Sequence, residues 1–203
     1  PQNLAALNAH ASTRVSVNPQ TISDAVLRAI GRAHTAGDFL AAWDLVRQTG
    51  FQVVNMDLIA GLPADSEEGF RASLDQILAL GPENITVHTL ALKKGSRLME
   101  QGGGLPAAEE VSHMLDYAWS ALREASYAPY YLYRQKYMSG GFENVGWCRP
   151  GTESLYNVVM MEELHTILSL GSGGVTKLID PRAGSLIRLS NPKFPKEYIS
   201  HIS

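Results

Sequence analysis

NMDLIAGLP, residues 55–63, has the apolar run of a buried strand, an acid at its centre and a glycine-led turn at its end. Burying a carboxylate is costly unless it meets a partner. Asp57 therefore either pairs inside the protein or faces a ligand cavity. A strand over 52–60 puts Asn55, Asp57 and Ile59 on one side and Met56 and Leu58 on the other. Upstream, RVSVN (14–18) alternates strictly and reads as another strand, polar on the side of Arg14, Ser16 and Asn18. Strands buried on both faces in a parallel sheet are nearly all apolar, and the interior of a filled barrel is dominated by branched apolar residues. Two successive strands with a polar face fit the lining of a cavity in an incompletely closed barrel. They also fit a private network, Arg14 with Asp57 for example, that only ties strands together. Pattern leaves both open.

Helices fall between the strands. Thr21 and Asp24 have capping-box spacing ahead of a helix near 22–30. A second helix follows Asp38, with Phe39, Ala42, Trp43 and Val46 on one face. Asp65, with Glu68 three residues on, caps a third, whose stripe is Phe70, Leu74, Ile77 and Leu78 and which Gly81 and Pro82 close. A strand over 85–92 comes next, then a loop over 93–106 with three consecutive glycines. A long helix over about 107–125 carries Val111, Met114, Leu115, Ala118 and Leu122 inward. Strand and helix alternating three times imply an α/β fold of parallel strands covered by helices. Beyond residue 129 the signals are shorter: aromatic strand residues at 130–134, candidate strands at 164–170 and 186–189, and a terminal helix from Pro195.

The totals exclude several classes. A net charge of -3 over 203 residues gives no electrostatic footprint for nucleic acid. No apolar run reaches the length of a membrane span. The single cysteine, Cys148, excludes an internal disulfide framework and any metal or iron–sulfur site built from several cysteines of this chain, and it fits a reducing, cytoplasmic setting. The chain opens on proline with helix-like sequence at once, which suggests an interior cut from a longer protein.

Ligands in parallel α/β folds collect at the carboxyl ends of the strands. Gln20, Asp57, the 61–63 turn and Ala91 all fall there. An acid in such a mouth accepts hydrogen bonds from a ribose or an amine, and an alanine leaves room for a flat ring. His88 shares a strand face with Thr86 and Leu90, opposite Val87, Thr89 and Ala91, and is expected to be structural and to face the helices. His34 stands near the mouth, where packing accounts for it equally well. His10, His113, His165 and His201 have no ligand spacing. Arg134, Lys136 and Arg149 read as solvated charges or as clamps for carboxylates. Tyr130, Tyr131 and Tyr133 read as core and interface aromatics, on one of which a macrocycle could stack.

Taken together, the motifs NPQ (18–20), GRAH (31–34), NMDLIAGLP (55–63) and ITVHTLALKKGSRL (85–98) resemble the oxygen-independent coproporphyrinogen III oxidase/dehydrogenase family of radical S-adenosylmethionine enzymes. Residues 130–138 and LSLGSGGVTKL (168–178) resemble its post-barrel region. Asn-Pro before Gln20, where the family usually has Gly-Val, and FENVGW (142–147) look most like a divergent oxidase-like branch. The resemblance implies the C-terminal half of a partial (β/α)6 TIM-like radical SAM barrel over 1–128, with a mixed α/β C-terminal extension over 129–203.

It further implies that Gln20, Arg32, Asp57 and Ala91 contact S-adenosylmethionine. Arg32 would meet the methionine carboxylate, and Asp57 a ribose hydroxyl or the methionine amino group. The family's 4Fe–4S cluster sits on a Cys-x3-Cys-x2-Cys loop that would precede residue 1. No catalytic or metal-ligating residue is therefore expected in this chain, and the chain alone is expected to be inactive. Implied for the parent is oxidative decarboxylation of porphyrinogen propionates to vinyls in haem biosynthesis. The alternatives are a haem carrier of the same family or a non-redox nucleotide-binding α/β domain. The expected partner is a coproporphyrinogen III-like tetrapyrrole or haem, and the open edge at 14–18 is expected to be either covered by a second copy of the chain or left bare because the chain is cut from a larger protein.

Overall fold

The computed structural model describes residues 2–9, 13–91, 106–134, 141–180, 182 and 184–202, without the side chains of 2, 3, 5, 8 and 202. The glycine-rich loop, the GSRL tail at 95–98, His10 and Lys136 lie outside the described residues. The chain divides into two compact units, Pro1–Glu153 and Ser154–Ser203.

The first unit runs α1 (Gln2–Ala9), β1 (Arg14–Ser16), α2 (Asp24–Ala29), α3 (Ala36–Gln48), β2 (Val53–Ala60), α4 (Glu67–Leu80), β3 (Asn84–Thr89), α5 (Ala108–Glu124), β4 (Ala128–Tyr133) and β5 (Asn144–Cys148). One sheet holds all five strands in the order β1-β2-β3-β5-β4. The first three strands are parallel, as the alternation of strands and helices predicts. β5 is antiparallel to β3, and β4 is antiparallel to β5. Among the described residues β1 pairs only with β2 and forms one edge of the sheet.

The two faces of the sheet differ sharply. On one, Val54, Met56, Leu58 and Ala60 are fully buried beside Ile85 and Val87. Each buried side chain of the size of Leu or Met contributes about 1.5–3 kcal/mol. Phe39, Trp43 and Val46 of α3, Phe70, Leu74 and Ile77 of α4, and Val111, Met114, Ala118 and Leu122 of α5 belong to the same core. The other face carries Asn55, Asp57 and Ile59, all half-buried. Arg14 is not their partner: its guanidinium donates to the carbonyls of Thr152 (2.8 Å) and Glu153 (2.6 Å).

Local capping differs from the expected pattern in two places. Ser23, not Thr21, caps α2, and accepts from the Val26 N–H. The Thr21 hydroxyl is buried against Ser73 of α4 instead. Ser66, not Asp65, caps α4, and accepts from the Gly69 N–H. Both shifts move the start by one or two residues, because adjacent polar residues compete for the same N–H groups. At its far end α4 stops at Gly81 in the left-handed conformation, as expected.

The second unit consists of α6 (Leu155–Met161), the antiparallel pair β6 (Val175–Asp180) and β7 (Ser185–Ser190), and α7 (Pro195–Ile202). Residues 164–170 form no strand, only an isolated bridge from Ile167 to Lys177. None of the unit's described residues is fully buried, and Leu168 and Leu170 are 73% and 88% exposed. In the described residues no helix is long and apolar enough to cross a membrane.

Candidate functional site

The polar face of the sheet continues from β2 across three more strands. Register puts Asp57 beside Thr86, Thr86 beside Gly146, and Gly146 beside Tyr131. One step toward the strand ends, Ile59 lies beside His88, and Asn144 lies beside Tyr133. Gly146 has no side chain, so Tyr131 crosses β5 and its hydroxyl comes within 3.3 Å of the Thr86 hydroxyl. Thr86 also donates to Asn55 Oδ1 (3.2 Å). Tyr133 crosses likewise, its hydroxyl 3.2 Å from His88 Nδ1. The two tyrosine rings are stacked, 6.3 Å apart and 3° from parallel.

Asp57 sits in the middle of this network. Asn55 Nδ2 donates to its Oδ1 at 2.7 Å, and His88 Nε2 stands 3.4 Å from its Oδ2. Burial alone would raise the Asp57 pKa. The contact and charge of His88, with hydrogen bonds from Asn55 and Thr86, outweigh burial and hold it below the usual carboxylate value. Burial dominates at Tyr131, whose phenol is pushed up to about 12.

At the carboxyl ends of the strands a cavity of about 470 Å³ opens, lined by Gln20, Arg32, Ile59, His88, Ala91 and Tyr133, among others. That is within the size range of small-molecule sites. Gln20 reaches it from the segment after β1. Its N–H donates to the Asp57 carbonyl, and its own carbonyl accepts from the Ile59 N–H. Gln20 holds this bridge at φ 68°, a left-handed conformation costly to a residue with a side chain. Arg32 follows Gly31, whose φ of 72° turns the chain after α2. His34, 3.4 Å from the Pro19 carbonyl, ties the Arg32 and Gln20 segments together. Asn144 accepts from the Thr89 N–H at 2.8 Å and fixes the end of β3.

Three of the four expected cofactor contacts, Gln20, Arg32 and Ala91, thus line one cavity. Asp57 is joined to its wall through His88. The expectation for His88 is corrected: it faces the cavity, not the helices. Register sets Thr86 beside Asp57 and His88 beside Ile59 on the polar face, and beyond Thr89, where β3 ends, Ala91 no longer follows the alternation, so both border the same space. Sequence reasoning did not single out Asn144, and it read Tyr133 as a core or interface aromatic on which a macrocycle could stack. The strand-like signal at 130–134 was the available clue to Tyr133.

S-adenosylmethionine fits this donor set: a guanidinium for a carboxylate, an amide, a small residue beside room for a flat ring, and an ionised acid nearby. An iron–sulfur cluster does not fit. Cys148 is buried, and its thiol is pushed up to about 11, chiefly by burial and then by Glu153, whereas the thiolate is the ligand form. Among the described residues no three His, Cys, Asp or Glu side chains could hold a metal ion together.

Comparison with known proteins bears on the family and the fold. The radical SAM superfamily model matches residues 1–77. The chain is 44% identical over 199 residues to the oxygen-independent coproporphyrinogen-III oxidase-like protein HemZ of Bacillus subtilis, covering 97% of this chain and 40% of that one. It is 29% identical over 162 residues to the heme chaperone HemW of Mycobacterium tuberculosis, covering 78% of this chain and 38% of that one. The fold matches coproporphyrinogen III oxidase (HemN) from Escherichia coli, described as a radical SAM enzyme, with a TM-score of 0.72 at 21% identity, over 99% of this chain and 45% of that one. The chain spans about two fifths of the length of these relatives.

Proposed function

Since the chain belongs to the radical S-adenosylmethionine family of oxygen-independent coproporphyrinogen III oxidase-like proteins, we propose that its cavity is the cofactor seat of an oxidoreductase acting on a tetrapyrrole. The observation that carries this reading is the convergence of Gln20, Arg32 and Ala91, from three separate segments, on one opening at the strand ends. Arg32 holds the carboxylate of S-adenosylmethionine through charge-assisted hydrogen bonds. Gln20, aimed by its two backbone bonds to β2, supplies an amide. Ala91 leaves space for the adenine ring. Asp57 accepts from a ribose hydroxyl or the methionine amino group. Bound there, S-adenosylmethionine supplies the carbon–sulfur bond whose one-electron cleavage is the source of radical chemistry. The 4Fe–4S cluster belongs to segments of the parent outside this chain. In this reading residues 1–128 contribute later strands of the barrel, residues 129–203 form the post-barrel region, and the protein works in the cytoplasm.

The test is anaerobic calorimetric titration of the full-length protein with S-adenosylmethionine, beside Arg32→Ala and Asp57→Asn. Binding by the parent and its loss in both variants is the expected result. A parent that does not bind, or variants that bind like the parent, would overturn the reading. The second reading, a haem carrier, draws on the likeness to HemW. Stoichiometric haem binding with no decarboxylated product, in the presence of cofactor and reductant, would favour it. Anaerobic iron and sulfide reconstitution of the isolated chain is expected to give no cluster absorption.

A further inference from the structure

His88 lines the cavity and also contacts Asp57, whose side chain keeps 20% of its surface open. We propose that His88 is a positioning residue of the cofactor seat. Held between Asp57 and Tyr133, its imidazole sets where the Asp57 carboxylate points and carries that orientation to the ligand. This inference rests on the cofactor reading above and assigns it a residue that is not among the contacts the resemblance implies.

The geometry supplies the argument. Both oxygens of Asp57 are engaged, Oδ1 by Asn55 at 2.7 Å and Oδ2 by His88 Nε2 at 3.4 Å. The opposite side of the imidazole is engaged too: the Tyr133 hydroxyl lies 3.2 Å from Nδ1, and the two rings meet edge to face at 6.3 Å. Tyr131 in turn stacks on Tyr133. An ionised carboxylate only accepts hydrogen bonds. In the neutral imidazole, therefore, Nε2 carries the proton toward Asp57, and Nδ1 accepts from the Tyr133 O–H. A histidine serving only to join strands has no need of the cavity. His88 lines it with Gln20 and Arg32, and its side chain keeps 23% of its surface open.

The titratable or charged groups on the described strands around Asp57 are His88 on β3, Tyr131 and Tyr133 on β4, and Arg14 on β1. Arg14 is turned to the carbonyls of Thr152 and Glu153, and Tyr131 stays neutral up to about 12. His88 is thus the group whose removal most changes the surroundings of Asp57. Its contact is among the influences that hold the carboxyl below its ordinary pKa. Without it the carboxyl protonates at higher pH, so cofactor binding fails earlier as the solution is acidified.

The experiment is anaerobic calorimetry with S-adenosylmethionine across the acid range on the full-length parent protein, His88→Leu, His88→Gln and Tyr133→Phe, each checked for its melting temperature. For His88→Leu the expected result is a loss of affinity of about tenfold, in line with removing a hydrogen bond to a charged group. Its acid limb of binding should move to higher pH. His88→Gln, which keeps an N–H for Asp57, should bind within about threefold of the parent. Should His88→Leu not fold, Tyr133→Phe reads the same clamp from its other end, and a weaker affinity at an unchanged melting temperature is expected. Parent-like affinity and an unmoved acid limb in the variants would overturn the role of His88 and leave the cofactor reading standing. A parent protein that fails to bind would overturn both.

Discussion

The ring of Tyr131 fills the space that a β-carbon on Gly146 would need: an added Cβ would stand 1.8 Å from Tyr131 Cε1. The two residues are directly opposite on β4 and β5, and this vacancy lets the phenol reach Thr86 two strands away. Gly146→Ala therefore evicts Tyr131 from the polar face. The expected cost is about 1–3 kcal/mol, as for overpacking a full site. Chemical denaturation measures it, and pairing the variant with Tyr131→Ala, which vacates the space, should recover most of the loss.

Gly61 closes β2 at φ 81°, and a Cβ there would lie 3.0 Å from Val111 Cγ2 of α5. Gly61→Ala combines a left-handed alanine with a tight contact. A loss of about 1–3 kcal/mol is expected. Val111→Ala added to it should relieve the contact but not the backbone strain, so a double-mutant cycle separates the two.

The alkaline limb of stability should carry the signature of Tyr131. Its pKa is about 12 when folded, against 10.0 ordinarily. A raised value means that the stabilisation is complete below pH 10 and is lost as pH climbs through 12. In a phenolate absorbance titration, the difference between the parent and Tyr131→Phe should appear only near the upper end. A difference centred near pH 10 would contradict the buried placement.

Asp57 works in the opposite sense. Its folded pKa lies below 3.8, so its contribution is complete above that value and disappears as pH falls through the lower folded value. Asp57→Asn should flatten the acid limb of the unfolding curve in that window and leave the neutral region unchanged in slope.

Cys148 should be inert in the folded protein. It is buried, with its thiol near pKa 11, and reactivity follows the thiolate. An aromatic disulfide reagent at pH 8 should label it only after denaturant is added. Rapid labelling of the native protein would place β5 wrongly.

Legibility in the sequence followed the range of the interactions involved. Alternation sorted Met56 and Leu58 from Asn55 and Asp57 correctly, because a strand's two faces are set locally. The stripes of α4 and α5 were equally plain. The same rule grouped His88 with Thr86 correctly and failed at Ala91, beyond the end of β3, so the face that His88 shares was assigned to the helices. Ser23 and Ser66 displaced Thr21 and Asp65 as caps because the distinction rests on one residue of backbone geometry. β5 was missed, since a five-residue strand holding a glycine is defined by its neighbours β3 and β4. The convergence of Gln20, Arg32 and Ala91 is tertiary: the rule for strand ends brought Gln20 and Ala91 to the same mouth, and only likeness to a family added Arg32.

The spatial order of the sheet has a temporal corollary. β5 lies between β3 and β4 but follows both in the chain. On the ribosome, β4 emerges with no strand to dock on until residues 144–148 arrive. His88 and Tyr133 thus meet only after the intervening segment threads between them, and a nascent chain stalled before Asn144 carries every proposed ligand contact in an unfinished pocket. Maturation of the pocket is gated by its most distal strand.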